Sequence, residues 1–179
     1  TLWIVRYNWK GYGLLYLASA VSGSAICYVL VVLGFYYFPY RLFPALFKFP
    51  ITAIVTFFPF YNLLGVRFSP QKWTYKIPFY WVLVNIGLLA ETLAKNHTNL
   101  IRYDFEWDFW DSYTLWWIFF LLFEWIGGKI VPPSVRKPIP EDAFRYGNWA
   151  FILLHITMIG TIFGIGWYLG DMRSGTIGR

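Results

Sequence analysis

The sequence predicts an all-α membrane protein, a bundle of about five transmembrane helices forming a single domain over residues 1–179. Composition, long charge-free runs and the placing of aromatic and basic residues carry that prediction. Of the 179 residues, 58% are hydrophobic and 13% charged, whereas a soluble domain is about 25% charged and about 45–50% apolar. A chain this short buries too small a fraction of its surface to hide so much apolar material from water. Lipid is the solvent that fits. Aromatic residues make up 24% of the chain, and Trp and Tyr gather at membrane interfaces, where ring and polar tip both find partners.

The first predicted span covers 13–38 and holds no charge. Pro39 and Arg41 end it, because proline breaks the hydrogen-bond ladder and arginine prefers the interface. The second covers 43–66 and contains Lys48, Pro50 and Pro59. Its apolar centre, 51–66, is short of the ~20 residues that a straight crossing needs. It is read either as a crossing with Lys48 at the surface or as a kinked or re-entrant segment. The third span is 78–94, ending near Glu91. The fourth is 109–131, containing Glu124 and stopped by Pro132 and Pro133. The fifth is 148–169, containing His155. The connection 132–147 is read as a crossing loop with a short interfacial helix from Pro140 to Tyr146.

Five spans divide the 15 Lys and Arg residues nine to six between the two sides. The positive-inside rule then places the N-terminus in the cytoplasm. The formal charge of +6 is scattered through the connections, which suits lipid headgroups rather than nucleic acid. The single cysteine, Cys27, cannot form an intramolecular disulfide and reads as a small buried hydrophobe. The chain lacks a starting Met and a signal-peptide pattern, so its start is read as processed or truncated.

Ionisable groups inside spans are the functional candidates, because a charge at the bilayer centre costs at least ~3 kcal/mol. These are Glu91, Glu124 and His155. Each also has a plain structural reading, as a group hydrogen-bonded to a neighbouring helix. Lys129 follows Glu124 by five residues, off the i,i+4 face. Asp104, Glu106, Asp108 and Asp111 alternate with aromatic residues, and the first three would share a face in an extended segment. They are candidates for contact with a cation or partner, against the reading of an interfacial segment dipping its rings into lipid. No resident metal site is expected, since one histidine in a span is far from the three or four ligands a site needs. No cofactor is indicated. Small residues, among them Ser19 and Gly23 in the first span and Gly160 and Gly164 in the fifth, allow close helix contacts within the chain or with another subunit.

Trp9-Lys-Gly-Tyr12 before the first span is followed by a proline-containing second span and a third span ending in Glu91. Then come Ile101-Arg-Tyr103, Trp107, Ser112 and Arg136-Lys-Pro138. Over about residues 9–138 this order resembles a family of small, uncharacterised multi-pass membrane proteins of spore-forming Gram-positive bacteria. The chain departs from that pattern by beginning almost at the Trp, where an earlier hydrophobic helix is expected, and in its acidic run around Trp107. The resemblance implies the bacterial plasma membrane and implies no reaction.

Three functions fit. The favoured one is a structural or accessory subunit of a larger membrane complex, or a homo-oligomer. The second is a small transporter or channel using Glu91, Glu124 or His155. The third is an enzyme acting on a lipid within the membrane, with Glu91, Asn96, His97, Tyr103, Asp104 and Asp108 near one interface. An enzyme is the less favoured outcome, because no signature of a soluble enzyme class is present.

Overall fold

The computed structural model describes residues 2–104, 106–144 and 147–176, and only the backbone of residues 150, 165 and 168–176. Arg145 and Arg179 of the charge count, and Tyr146 of the expected interfacial turn, lie outside these. The described residues form six α-helices: α1 (Leu2–Val5), α2 (Trp9–Val32), α3 (Ile51–Phe68), α4 (Trp73–His97), α5 (Phe109–Ile130) and α6 (Asn148–Thr176). Two short strands, β1 (Tyr36–Tyr37) and β2 (Arg102–Tyr103), pair antiparallel with Tyr36 opposite Tyr103.

Three of the helices, α2, α3 and α4, are long and apolar enough to cross a membrane. The bundle is apolar on its outside as well. Leu14, Leu17 and Val21 of α2, Ile118 and Leu122 of α5, and Ile156 and Phe163 of α6 all face outward. Its interior, by contrast, holds Ser19, Asn62, Arg67, Lys76, Ser112 and Glu124. Contiguous exposed apolar surface of this extent is unusual on a water-soluble monomer.

Helices α2, α4 and α6 extend past the predicted spans, to Trp9, to Trp73 and His97, and to Thr176, and two predicted ends fall short. The first helix ends at Val32 rather than at 38. Gly34 adopts φ +82°, a left-handed conformation that glycine takes freely, and the apolar residues after it continue into β1. The second helix begins at Ile51, so residues 43–50 lie outside it. That stretch is a turn closed by Phe47 N–H donating to Phe43 O at 3.0 Å, with Arg41 Nη1 donating to Lys48 O at 2.9 Å.

The second segment forms one continuous helix that carries Pro59 inside it. The start of α3 packs with the end of α2, where Ile54 clusters with Cys27, Tyr36 and Phe38. Its far end brings Arg67 to Tyr7 and Tyr12, beside the start of α2. Thus α3 runs the length of the bundle, about 27 Å for its 18 residues at ~1.5 Å each. Ser19 and Gly23 of α2 face it: Asn62 Nδ2 donates to Ser19 Oγ at 3.2 Å, and a Cβ on Gly23 would lie 3.5 Å from Ile54. The connection after α5 is tied down rather than loose. Lys137 N donates to Arg67 O and Ile139 N to Phe68 O, and Lys72 pairs with Glu141 at 2.7 Å. Among the described residues of 140–146, a 3₁₀ turn, Glu141–Phe144, stands where a short helix is expected.

Two prolines lie inside helices, and each leaves the carbonyl four residues earlier without its backbone donor. Side chains from other helices supply the missing bonds. Tyr16 Oη donates to Val55 O at 2.5 Å, serving Pro59 in α3. His155 Nε2 lies 3.1 Å from Thr74 O, serving Pro78 in α4. In lipid no water is at hand to do this.

Helices α3 and α5 approach closely at Gly127, where an added Cβ would meet Val66 Cγ1 at 2.6 Å. The Gly127→Ala variant should therefore lose about 1–3 kcal/mol by overpacking. Gly128→Ala, whose nearest neighbour would be Arg136 Nη2 at 3.9 Å, should be neutral or slightly stabilising. Unfolding of the two variants in mild detergent measures the difference.

Candidate functional site

Helices α4 and α5 lie antiparallel and are joined by a carboxylate near each end. Glu124, late in α5, is 2% exposed. It pairs with Lys76 from the first turns of α4, accepts from Tyr80 Oη at 2.6 Å, and lies 3.4 Å from Arg136 Nη1. Arg136 also donates through Nε to Val131 O at 3.3 Å. Lys129 takes no part and rests over the Trp125 ring, 3.4 Å from its centroid. Two cations and a phenol surround one carboxylate, an arrangement that holds two helices and a loop together.

Glu91, near the end of α4, has a different shell. Its Oε1 accepts from Tyr36 Oη at 2.6 Å and from Tyr103 Oη at 2.7 Å, and Ser112 Oγ lies 2.9 Å away. Its Oε2 accepts from Trp116 Nε1 at 2.8 Å. Trp107 Nε1 donates to Ser112 Oγ at 2.9 Å and fixes that hydroxyl. The β1–β2 pair exists at this point because Tyr36 and Tyr103 must reach one carboxylate from two separate loops. Burial, and then the Glu91 carboxylate beside them, push both phenols above their ordinary range.

This cluster forms one wall of a cavity of about 310 Å³, bounded by Ile26 and Leu30 of α2, Ile54 and Phe57 of α3, Ala90 of α4 and Leu115 of α5. That volume is at the small end of ligand pockets, which run from ~300 to ~1,000 Å³. Among the described residues, Glu91 is the one charged side chain in the lining. The rim includes Ala53, Phe57 and Ala90, all exposed. Tyr40 and Leu100, on the loops at the same end, are exposed lining residues too, so the cavity is open along α3 and α4 and at its loop end.

The other sequence candidates separate from this site. His155 Nδ1 lies 2.8 Å from Phe151 O, and its Nε2 caps the carbonyl that Pro78 orphans. Asp104, Glu106 and Asp108 do not share an extended face, because Glu106 turns the chain with φ +58°. Asp108 instead caps α5, accepting from Trp110 N at 2.7 Å, while Asp111 accepts from Asp108 N at 3.1 Å. This reciprocal capping box satisfies backbone donors at the helix start. Asn96 and His97 are exposed at the end of α4, away from the Glu91 shell. Gly160 and Gly164 have no atom within 4 Å of an added Cβ. No group of three His, Cys, Asp or Glu able to hold a metal occurs among the described residues.

Sequence reasoning singled out Glu91 and Tyr103 but missed Tyr36, Trp107, Ser112 and Trp116 as one shell with them. It also missed Lys76, Tyr80 and Arg136 around Glu124. Spacing offers one usable signal: Ser112 and Trp116 are four apart on a helix, so they share a face.

No protein-family model, curated protein or solved structure matches this chain.

Truncating Glu124 should be more damaging than removing one of its two cations. The Glu124→Ala variant leaves Lys76 and Arg136 buried without an anion and should cost about 3–5 kcal/mol. Lys76→Met leaves Glu124 with Arg136 and Tyr80 and should cost less. Denaturant unfolding in detergent reads the order; equal losses would contradict the triad as drawn.

Proposed function

We propose that this chain is a five-span protein of the bacterial plasma membrane, N-terminus cytoplasmic, that binds a lipophilic molecule in the cavity beside Glu91. The membrane location rests on the apolar exterior and the three helices long enough to cross. The count of five adds α5, which runs antiparallel to α4 over its length, and α6. α5 carries Asp111, Glu124 and Lys129, and α6 is apolar over Phe151–Gly164. The bacterial setting rests on the resemblance to the spore-former family. The orientation rests on the clustering of Arg67, Lys76 and Arg136 at the end of the bundle where α2 begins.

The observation that carries the function is an apolar cavity whose lining is exposed along α3 and α4 and at the adjoining loops, with one hydrogen-bonded carboxylate on its wall. A purely structural bundle has no need to keep such a space unfilled, since packed interiors leave few voids larger than a water. Cavities of this make-up, apolar with a few convergent polar groups, are the usual form of small-molecule sites. The subunit reading draws its support from α6, whose Gly160–Gly164 face is open, and it is secondary. A monomer that purifies in mild detergent with no accompanying chain would remove it.

Two measurements test the proposal. An impermeant maleimide applied to intact cells should label Asn99→Cys and leave Ser134→Cys unlabelled; the reverse pattern would invert the orientation. Crystals grown in a lipid phase and soaked with 1-bromododecane should show bromine between α3 and α4. Bromine found only on the outer helix faces would sink the binding role.

A further inference from the structure

The polar wall of the cavity has committed its donors and keeps acceptor capacity. Tyr36 and Tyr103 have one hydroxyl proton each, and both reach Glu91 Oε1. Ser112 has one proton for the same oxygen or a neighbouring phenol, and its own oxygen already receives Trp107 Nε1. Trp116 spends its single N–H on Oε2. A carboxylate offers about four acceptor positions. Three of the four donors crowd Oε1, so Oε2 retains a direction for another donor.

Glu91 also lacks a cation. The ion pairs among the described residues are Lys72–Glu141, Lys76–Glu124 and Arg136–Glu124, and none includes Glu91. Lys95, one helical turn further on, lies against the Tyr103 ring instead, 4.1 Å from its centroid. Glu124 shows the contrast within the same molecule, because its carboxylate meets two cations. A carboxylate on the wall of an apolar cavity, held only by neutral donors, attracts a further donor. It attracts a charged donor most strongly, since such hydrogen bonds are about twice as strong as neutral ones. The Glu91 shell repels an anionic head and has spent its own donors, and the other hydroxyl of the lining, that of Tyr40, stands at the exposed loop end.

We propose that the cavity takes an amphiphile with an apolar tail and a polar end that donates hydrogen bonds to Glu91, a protonated amine before a hydroxyl, and that it rejects chains headed by a carboxylate. The inference rests on the cavity being a lipophile site, as proposed above. The tail enters between α3 and α4, past Ala53, Phe57 and Ala90, and the head stops at Glu91.

The test is saturable binding of tritiated dodecylamine to the full chain in nanodiscs of neutral lipid, with empty nanodiscs as background. Dodecanol and dodecanoate serve as competitors at mildly alkaline pH, where the acid is ionised and the amine still charged. Dodecanol should compete more weakly than unlabelled dodecylamine, and dodecanoate at least tenfold more weakly. Dodecanoate competing as well as the amine would overturn the head-group inference while leaving the cavity site standing. No saturable binding, with no competition by any of the three, would remove the cavity site itself. The Glu91→Gln variant should weaken dodecylamine at least fivefold and change dodecanol less than twofold; unchanged amine binding would overturn the inference. Should Glu91→Gln fail to fold, the head-group order on the unaltered chain still decides. Ala53→Phe, at the rim, should weaken all three molecules together, and binding indifferent to it would place them elsewhere and overturn the proposal.

Discussion

A carboxylate on a helix solvated by lipid must bring its donors with it, because water is not there to serve it. The arrangement of α4 and α5 follows from that requirement at both ends. Near one end Glu124 of α5 draws Lys76 and Tyr80 from α4 and Arg136 from the following loop. Near the other, Glu91 of α4 draws Ser112 and Trp116 from α5. Between these fixed points the helices are matched in register by apolar contact, with Tyr80, Val84, Leu88, Trp116 and Phe120 in one cluster. The same demand recurs for the backbone, where Tyr16 and His155 serve the carbonyls that Pro59 and Pro78 release.

The two carboxylates meet this requirement differently, and that difference separates support from function. Glu124 is neutralised by cations and buried on all sides. Glu91 is held by neutral donors, so its shell satisfies hydrogen bonding without cancelling charge. The shell takes two of its donors from loops, and the strand pair exists to bring them together. Space beside Glu91 follows from its neighbours. Gly87 lets the Trp116 ring approach to 3.2 Å of where a Cβ would be, while Ala90 and Ala94 leave room further along the same helix face.

Much of the helical framework was legible in the sequence, because apolar run length is a direct readout of a membrane segment. The start of α5 at Phe109 could be read from the run itself, and its end from Pro132 and Pro133. Boundaries failed where an apolar run changed conformation without changing composition, as at Gly34 and in the turn over 43–47. The two carboxylates were legible because lipid makes them costly. Their partners were not, because Tyr36 lies 55 residues from Glu91 and Lys76 lies 48 from Glu124, separations that no local periodicity encodes. The extended form that would put Asp104, Glu106 and Asp108 on one face does not occur, because Glu106 is left-handed, and a single such residue is invisible in a pattern of alternating charge. The cap at Asp108 follows the ordinary preference for aspartate at helix starts.

The strand pair between the first and third connections has a consequence for how the chain enters the membrane. Tyr36 leaves the ribosome before Glu91, and Ser112 and Trp116 leave after it. Lys76 likewise emerges well before Glu124. Lys76 and Glu91 of α4 therefore wait for α5 before their shells can close. The order of synthesis and the hydrogen-bond map together make α4 and α5 a pair in which neither helix satisfies its carboxylate alone.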